Sequence, residues 1–276
     1  MTAGTPELCT VVMSYRNEDT VIEAVDSLKD QDVPLEVVVS HSGGGETPQL
    51  MARAGVACVA SERRRLPGAA RNAGVAATTA PFVSFLEADC TAAPGWAEGR
   101  LARHRAGAVA VGSALEPFDP GLCSRAAFLV EHSARLPLSA PPHDVLHGVS
   151  FARSTLERFG PFPEDMLVGE DTEVTKRLVG DGIEIEWAPE VVTVHRYPTT
   201  VSGLLAESWA RGRRRAWTRM AERGRRALAR DAIGAPSEAA RRALRAGAPV
   251  SRMEVWTALP LMWASAAAKT AAIVLF

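Results

Sequence analysis

Residues Phe82–Trp96 read FVSFLEADCTAAPGW, and the prediction of the fold starts from this stretch. It opens with a short apolar run containing two phenylalanines, which predicts a buried β-strand. Two acids, Glu87 and Asp89, follow at the carboxyl end of the run, ahead of a turn marked by Pro94 and Gly95. In an open α/β sheet, ligands bind at the carboxyl ends of the strands, so this position is a candidate site.

The spacing of the two acids suits a metal ion. Carboxylates two residues apart at the end of a strand can face the same opening, where they suit a hard divalent cation that also carries phosphate oxygens. An isolated acid-x-acid triplet is also typical of a solvated turn. The rest of the sequence has to decide between these two interpretations.

Strands and helices alternate through the first ninety residues. Apolar runs at Thr10–Ser14, Glu36–Val39 and Ala57–Ala60 predict strands, and the segments between them have helical spacing. Thr20 and Glu23 have the spacing of a capping box, which predicts that the first helix starts near there. This alternation predicts an α/β fold with one doubly wound, mostly parallel sheet.

A long loop and two further strands are expected in the second part of this domain. The segment Glu116–Asp144 is rich in proline and is predicted to be irregular, as functional covers and disordered segments often are. We expect a strand at Leu146–Ala152, a helix that ends near Leu178, and a half-exposed strand that starts at Ile183.

Charge is distributed unevenly along the 276 residues, although the net charge is only −1. The segment Arg211–Arg252 carries 13 arginines and three acids, so the remaining residues carry 18 bases and 29 acids. We therefore predict two domains: an α/β catalytic domain over 1–200, and a helical extension over 201–276 that is first basic and then apolar.

The cysteines and the N-terminal segment favour a cytoplasmic location. The four cysteines lack a CxxC spacing and lie mostly in apolar runs, as expected for packed thiols in a reducing compartment. The first twelve residues lack a basic region followed by a long apolar one, so no signal peptide is predicted.

Three interpretations of the C-terminal segment remain open: a basic interfacial helix pair on an anionic membrane, a nucleic-acid patch, and a helical hairpin that packs on the protein. Tryptophans lie among the arginines of Ser208–Arg226, and Val255–Phe276 is nearly all apolar, which favours the membrane. Pro260 and Lys269 interrupt the apolar segment, and a central lysine costs roughly 2.5–3.5 kcal/mol on insertion, so we expect peripheral attachment. The acidic body and the lack of a recognition motif argue against nucleic acid.

Four stretches, in order, resemble one family. They are TVVMSYRNE from Thr10, LPGAARNAGVA from Leu66, FLEAD from Phe85, and GPFPEDMLVGEDTEVTKRLVGDG from Gly160. Together they resemble the family 2 glycosyltransferases, which use nucleotide-diphospho-sugars, have the A-type glycosyltransferase fold and invert the anomeric centre. The resemblance covers about Cys9 to Pro198.

The resemblance implies a magnesium or manganese site. Glu87 and Asp89 would occupy the family's acid-x-acid metal motif, with Asp89 preferred as the direct ligand. His195 matches a histidine that some relatives use on the metal or the diphosphate. A structural histidine after a strand is an equally good explanation of His195.

The resemblance also implies roles at the donor and the acceptor. Ser14, Arg71 and Asn72 would lie beside the nucleotide and diphosphate of the donor. Asp171 would be the catalytic base, with Glu170 as its companion. Acids in the first turn of a helix are also favourable against the helix dipole, which is the structural alternative for Asp171.

Two departures from the family pattern concern the donor. Ser40, His41 and Ser42 stand where the family commonly has aspartates, one of which reads the nucleobase, so the usual recognition of uracil is in doubt. Glu87 replaces an aspartate in the metal motif, and its longer side chain could alter the ion preference or contact the sugar.

The sequence as a whole predicts an inverting, metal-dependent, hexosyltransferase-like glycosyltransferase at the cytoplasmic face of the membrane. Its donor would be a nucleotide-sugar, with UDP preferred from family frequency alone, and its acceptor an unidentified hydroxyl. The alternative is a non-catalytic sugar-nucleotide-binding or scaffold protein on the same fold, which the Ser40–Ser42 departure supports.

Overall fold

A computed structural model describes residues 5–137, 148–246 and 250–276. Within these ranges the chain forms one eight-stranded sheet and ten α-helices. The predicted α/β fold with a mostly parallel central sheet is confirmed, and so is the helical C-terminal extension.

The sheet has the strand order β3-β2-β1-β4-β7-β6-β8-β5. Strand β1 pairs in parallel with β2 and β4, and β2 with β3, whereas β7 runs antiparallel to β4 and β6. The strands are β1 (Leu8–Tyr15), β2 (Leu35–Ser42), β3 (Ala57–Ser61), β4 (Phe82–Glu87), β5 (Cys90–Ala92), β6 (Ala110–Pro117), β7 (Ser150–Ala152) and β8 (Glu186–His195).

Most of the helices follow the strands in alternation, and the last three are consecutive. The helices are α1 (Glu18–Lys29), α2 (Thr47–Ala54), α3 (Pro67–Ala76), α4 (Trp96–Arg105), α5 (Leu122–His132), α6 (Arg153–Phe159), α7 (Glu170–Gly180), α8 (Val201–Arg223), α9 (Arg225–Ala246) and α10 (Arg252–Leu275). A short 3₁₀ turn, Ser133–Arg135, follows α5.

Helices cover both faces of the sheet, because strand side chains alternate between the faces. Leu8 and Val12 of β1 belong to a core with residues of α1, α2 and α4. Cys9 and Val11, their neighbours on the same strand, belong to a second core with residues of α3, α6 and α7. This arrangement is the doubly wound sheet that the alternating pattern predicts.

The predicted capping box at the start of α1 is wrong. The helix begins at Glu18, and its N-cap is Asn17, whose Oδ1 accepts a hydrogen bond from the Tyr15 backbone N–H at 3.2 Å. Thr20 therefore lies inside the first turn. The acids of this turn, Glu18 and Asp19, favour the earlier start because they interact well with the helix dipole.

Strand β2 is longer than the strand predicted at Glu36–Val39. Ser40, His41 and Ser42 are its buried last residues, so the loop begins only at Gly43. The pattern ended the strand early because short polar residues at the end of a strand resemble a loop. After β4 the chain turns at once and forms the short strand β5 ahead of Pro94.

The prediction of an irregular segment over Glu116–Asp144 is wrong for its described part. Helix α5 lies inside it and buries Ala126, Phe128 and Leu129. The prolines on either side obscured this helix in the sequence. The remainder of that segment, and the start of the strand predicted at Leu146, fall in 138–147, outside the described residues.

The half-exposed strand predicted from Ile183 begins only at Glu186. Residues 183–185 have no regular structure, and β8 then continues without a break to His195. Pro189 lies inside this strand. The alternation of isoleucine and glutamate from Ile183 suggested the earlier start, but these residues directly follow the turn at 181–182 and precede the strand.

The chain divides into two compact units. The first comprises Met1–Ala114 and Pro141–Val194, and the second comprises Leu115–Ala140 and His195–Phe276. The predicted boundary at residue 200 stays a prediction. The second unit has its own apolar core, which includes Phe128 of α5, Leu204 of α8, Ala243 of α9 and Met262 of α10.

A buried ion pair lies in the second unit. Lys269 of α10 is 4% exposed and contacts Glu131 of α5, and Arg211 of α8 lies 3.8 Å from the same carboxylate. Burial lowers the pKa of Lys269, and the charge of Glu131 opposes this shift. Burial alone would raise the pKa of Glu131, but Lys269 and Arg211 lower it overall.

Helix α10 is long and apolar enough to cross a membrane by length and composition. However, 39% of its most apolar 18-residue window is buried inside the protein. Its buried face contains Lys269, so in this structure the lysine is neutralised by a protein carboxylate. Crossing a bilayer would require this pair to break or to be carried into the lipid.

The packing of α3 on β1 can be tested with Gly74→Ala. A Cβ at this position would lie 2.2 Å from Cγ1 of Val11, whose side chain is fully buried. Overpacking of this kind costs about 1–3 kcal/mol, so we expect the free energy of unfolding, measured by urea denaturation, to fall by that amount.

Gly180→Ala is the matched control, because Gly180 is also helical and a Cβ there would meet no atom within 4 Å. We expect its stability to be unchanged or higher by up to about 1 kcal/mol, as helix propensity predicts. Equal effects of the two substitutions would contradict the close packing of Gly74 on Val11.

Candidate active site

Arg71 lies at the centre of a cluster of carboxylates. It belongs to α3 and is only 4% exposed. Its Nε donates to Oε1 of Glu170 at 3.1 Å, and its Nη2 donates to Oε1 of Glu87 at 3.2 Å. Oδ2 of Asp171 lies 3.8 Å from the same Nη2. One guanidinium therefore joins acids from the end of β4 and from the start of α7.

Close backbone packing places Arg71 in this position. At Gly68, in the first turn of α3, a Cβ would lie 1.9 Å from the carbonyl oxygen of Pro163, so only glycine allows this approach. The guanidinium also lies over two rings, 5.1 Å from the centroid of Phe85 and 5.7 Å from that of Phe162. The rings remove water from the arginine, and the acids replace the lost hydrogen bonds.

The charges of this cluster depend on each other. Burial opposes the positive charge of Arg71, but Glu170, Glu87 and Asp171 together raise its pKa. Burial raises the pKa of Glu170, and the negative charge of Asp171 adds to this shift, whereas Arg71 lowers it. Glu170 is therefore harder to ionise than an ordinary glutamate, and Arg71 is the group that favours its ionised form.

Helix α7 presents two acids at its N-terminus. Gly169 is the N-cap with a φ of 87°, a conformation that favours glycine, and Glu170 and Asp171 follow in the first turn. Glu170 is 3% exposed and points to Arg71. Asp171 is less buried, and its Oδ1 accepts from the Thr172 backbone N–H at 2.7 Å. Asp171 is the member of this pair that a substrate can reach.

The two acids after the apolar run of β4 have different surroundings. Glu87 is the last residue of β4 and is held by Arg71. Asp89 lies in the turn before β5, and its Oδ1 accepts from the Cys90 thiol at 3.7 Å. Within the described residues Asp89 forms no ion pair. Its carboxylate is therefore the one that is free to bind a cation.

Asn72 is fully engaged by the protein. Its amide nitrogen donates to the Phe162 carbonyl and to Oε1 of Glu164, both at 2.9 Å. Its amide oxygen accepts from the Phe162 backbone N–H at 3.0 Å. In this arrangement the Asn72 side chain has no N–H left for a phosphate. It holds the segment from Phe162 to Glu164 against α3. Its assignment to the donor stays a prediction.

Ser14 contacts His41, a residue whose role the sequence did not indicate. Both are buried, and Oγ of Ser14 lies 3.1 Å from Nδ1 of His41. Nε2 of His41 lies 2.6 Å from the Gly44 carbonyl oxygen, and since that oxygen only accepts, Nε2 carries the proton. His41 thus holds the loop of three glycines, Gly43–Gly45, all with positive φ.

His195 belongs to the second unit and lies in an aromatic group. Its ring lies 4.4 Å from that of Tyr197, and the Tyr197 hydroxyl lies 2.7 Å from Nδ1 of His132. Nδ1 of His195 is buried and has no hydrogen-bond partner within the described residues. A buried ring nitrogen without a hydrogen-bond partner is compatible with binding a metal ion or a substrate group. The assignment of His195 to a metal stays a prediction.

The sequence did not predict the pairing of Arg71 with carboxylates. The signal available was an arginine inside an alanine-rich helix, where a buried guanidinium needs acidic partners. The sequence separation between Arg71 and Glu170 is 99 residues, so only the fold shows which acids those are.

Comparison with known proteins identifies the family. Residues 9–126 match the family model Glycosyl transferase family 2. The succinoglycan biosynthesis protein ExoO of Rhizobium meliloti is 36% identical over 94 residues, which is 32% of this chain and 27% of that protein. The pre-mycofactocin glycosyltransferase of Mycobacterium tuberculosis is 32% identical over 151 residues, which is 51% of this chain and 32% of that protein. The chain thus spans about a third or less of the length of these two relatives.

Solved structures show the same fold. The mannosyltransferase PcManGT from Pyrobaculum calidifontis, in complex with GDP-Man and Mn²⁺, superposes with a TM-score of 0.62 and 24% sequence identity. The comparison covers 98% of this chain and 86% of that one. The family match, the relatives and the shared fold confirm the resemblance found in the four motifs: residues 9–126 form a glycosyl transferase family 2 domain, and the chain has the A-type glycosyltransferase fold.

Proposed function

We propose that the protein transfers a sugar from a nucleotide-diphospho-sugar to an acceptor hydroxyl and inverts the anomeric centre. The observation that carries this proposal is the group of Glu87, Glu170 and Asp171 around Arg71, in a chain of glycosyl transferase family 2. Asp89 lies two residues beyond Glu87 without an ion-pair partner among the described residues. The relatives named as glycosyltransferases support the same activity.

Asp171 acts as the base in this proposal. It takes the proton of the acceptor hydroxyl while the acceptor oxygen forms the new bond to the anomeric carbon. The bond between that carbon and the diphosphate oxygen breaks, and its electron pair leaves with the nucleoside diphosphate. Asp171 lies in the first turn of α7, where the helix dipole interacts favourably with a carboxylate.

Arg71 and Glu170 position the base. Arg71 is buried and bound to Glu170, so its position is fixed by the protein before any substrate binds. Its Nη2 faces both Glu87 and Asp171, which lets it restrain the base and the end of β4 together. This role is compatible with the predicted contact of Arg71 with the donor, but does not require it.

The residues present fit a divalent cation. The Asp89 carboxylate is a hard oxygen ligand and lies in a turn after a strand. Among the described residues, no basic side chain forms an ion pair with it. Asp89 would hold magnesium or manganese, with His195 added by the family resemblance. Such an ion would offset the charge that develops on the departing nucleoside diphosphate. The complex of PcManGT with GDP-Man and Mn²⁺ supports a cation of this kind.

For the donor we propose a UDP-sugar, and for the location the cytoplasmic face of the membrane. UDP is preferred on family grounds, although Ser40, His41 and Ser42 stand where the family commonly has the aspartate that reads the nucleobase. The His41 side chain contacts Ser14 and Gly44. The same substitution favours the alternative function, a non-catalytic sugar-nucleotide-binding protein. Hydrolysis of donor without any acceptor separates the two, because a competent site releases some sugar to water and a binding protein does not.

The metal assignment predicts that nucleotide binding needs a divalent ion. In a thermal-shift titration, UDP should stabilise the protein in manganese and much less in EDTA, by the mass-action effect of a ligand that binds only the folded state. Asp89→Asn should remove the manganese-dependent part of the shift. Asp32→Asn, which removes an exposed aspartate of the same unit, should keep it. Equal shifts in manganese and EDTA would contradict the assignment.

The central role of Arg71 predicts a large loss of stability in Arg71→Met. Removing one partner of a buried ion pair costs about 3–5 kcal/mol, because the acids stay buried without a cation. Arg158→Met is the control, since Arg158 and Asp181 form an exposed pair whose loss should cost about 1 kcal/mol or less. Both are measured as free energies of unfolding.

The loss in Arg71→Met should also depend on pH. Without the guanidinium, the pKa of Glu170, which burial already raises, should rise further above its value in the unfolded chain. The folded state then binds protons more readily, so the deficit relative to wild type should shrink as the pH is lowered below neutral. A deficit that is constant with pH would show that the acids do not depend on Arg71.

The assignment of Asp171 as the base predicts that Asp171→Asn keeps donor affinity and loses turnover. Asparagine has nearly the same shape but cannot take a proton, so turnover should fall by roughly 10²–10⁴ fold. Glu173→Gln removes another acid from the same first turn, one that is paired with Lys176, and should leave turnover unchanged. If Asp171→Asn stays active, Asp171 is structural, and Glu170 becomes the next candidate for the base.

A further inference from the structure

The face of α10 opposite its buried side is apolar and exposed along the whole helix. Met253, Trp256, Trp263 and Val274 are 72%, 60%, 41% and 48% exposed. Pro260, Ala267 and Ala271 are also exposed and have the same helical spacing. We call this set of seven residues the tryptophan face. A continuous exposed apolar face of this kind marks an interaction surface.

The contacts of the buried side of α10 determine the orientation of the tryptophan face. Lys269 of the buried side contacts Glu131, and Ser265 lies 2.7 Å from Oγ of Ser208. These contacts hold α10 against α5 and α8, so the tryptophan face is presented along its full length while the helix stays packed. A helix of 24 residues is about 36 Å long, and it can lie along a flat surface over that distance.

Arginines lie at both ends of the tryptophan face. Arg252 is the exposed first residue of α10. At the other end, the guanidinium of Arg213 lies 4.5 Å from the ring centroid of Phe276, and Arg225 donates to the Val274 carbonyl at 2.9 Å. An apolar face between guanidinium groups is complementary to a lipid surface, where acyl chains lie beneath anionic headgroups.

The positive charge of the C-terminal segment argues against binding of a second copy of the chain to the tryptophan face. Residues 201–276 carry 13 arginines and one lysine against five acids. Two copies joined through the tryptophan face would bring two strongly positive segments together, which is unfavourable unless an anion separates them. An anionic bilayer removes this repulsion, and two tryptophans on one face are typical of helices at the membrane interface.

We propose that α10 lies flat in the interface of an anionic bilayer, with the tryptophan face toward the acyl chains and the flanking arginines on the headgroup phosphates. Lys269 and Glu131 stay paired inside the protein, so the helix does not cross the membrane. The attachment depends on α10 and its neighbours and not on the chemistry proposed for Arg71 and Asp171. It can therefore be tested separately from sugar transfer.

The test is flotation of the full chain with vesicles of phosphatidylcholine, with and without about one third phosphatidylglycerol, at low and high salt. We expect binding to the anionic vesicles at low salt, with a weaker interaction at high salt. Lipids brominated on the upper acyl chain should quench the tryptophan fluorescence. Trp256→Gln together with Trp263→Gln should weaken binding by about tenfold or more, since both rings then leave the interface.

Ile233→Gln is the control, because Ile233 is an exposed apolar residue on α9 outside the tryptophan face. We expect it to bind vesicles as the wild type does, and we expect all variants to keep the same donor hydrolysis. The proposal is overturned if the wild type does not float at low salt, or if the double variant floats equally well. It is also overturned if sedimentation shows a dimer that the double variant loses while vesicle binding is absent.

Discussion

The buried guanidinium of Arg71 is the constraint on which the candidate site depends. Glu170 at 3% exposure would not remain ionised in an apolar core without a cation, and Asp171 beside it adds a second negative charge. Arg71 offsets both and also binds Glu87 at the end of β4. Its own burial is possible because Gly68 lets α3 approach the backbone of Pro163. The positions of the acids and the packing of α3 are therefore parts of one arrangement.

In this arrangement the two acids of the β4 motif, Glu87 and Asp89, have different contacts. Glu87 has the length to reach Arg71 from the last position of the strand, and this contact uses its charge inside the protein. Asp89, two residues later in the turn, accepts from the Cys90 thiol and forms no ion pair within the described residues. In the proposed site, Glu87 therefore belongs to the group around Arg71 that supports Asp171, and Asp89 is the ligand of the cation.

The sequence predicted the alternation of strands and helices in the first ninety residues well, because this alternation depends on local patterns. Apolar spacing separates β1 from α1. The four motifs assign roles to Asp89 and Asp171, and these roles stay predictions. The partners of Arg71 could not be predicted in this way, since Glu170 is 99 residues away and only packing brings it close. His41 was taken as a loop residue because a short polar run at the end of a strand resembles a loop. Helix α5 was missed because prolines lie on both sides of it.

Mean hydropathy could not decide whether α10 crosses a membrane, lies on its surface or packs on the protein, because the helix has two different apolar faces. The apolar residues of its buried side pack on α5, α8 and α9, and those of its tryptophan face remain exposed, yet they contribute equally to mean hydropathy. Lys269 distinguishes the two cases. A lysine on a lipid-facing side would need to reach the headgroups, whereas Lys269 lies on the protein side and contacts Glu131. This pair makes crossing of a bilayer costly and leaves the opposite face of the helix exposed. The position of one charge therefore supports the proposed attachment better than the overall apolarity of the helix does.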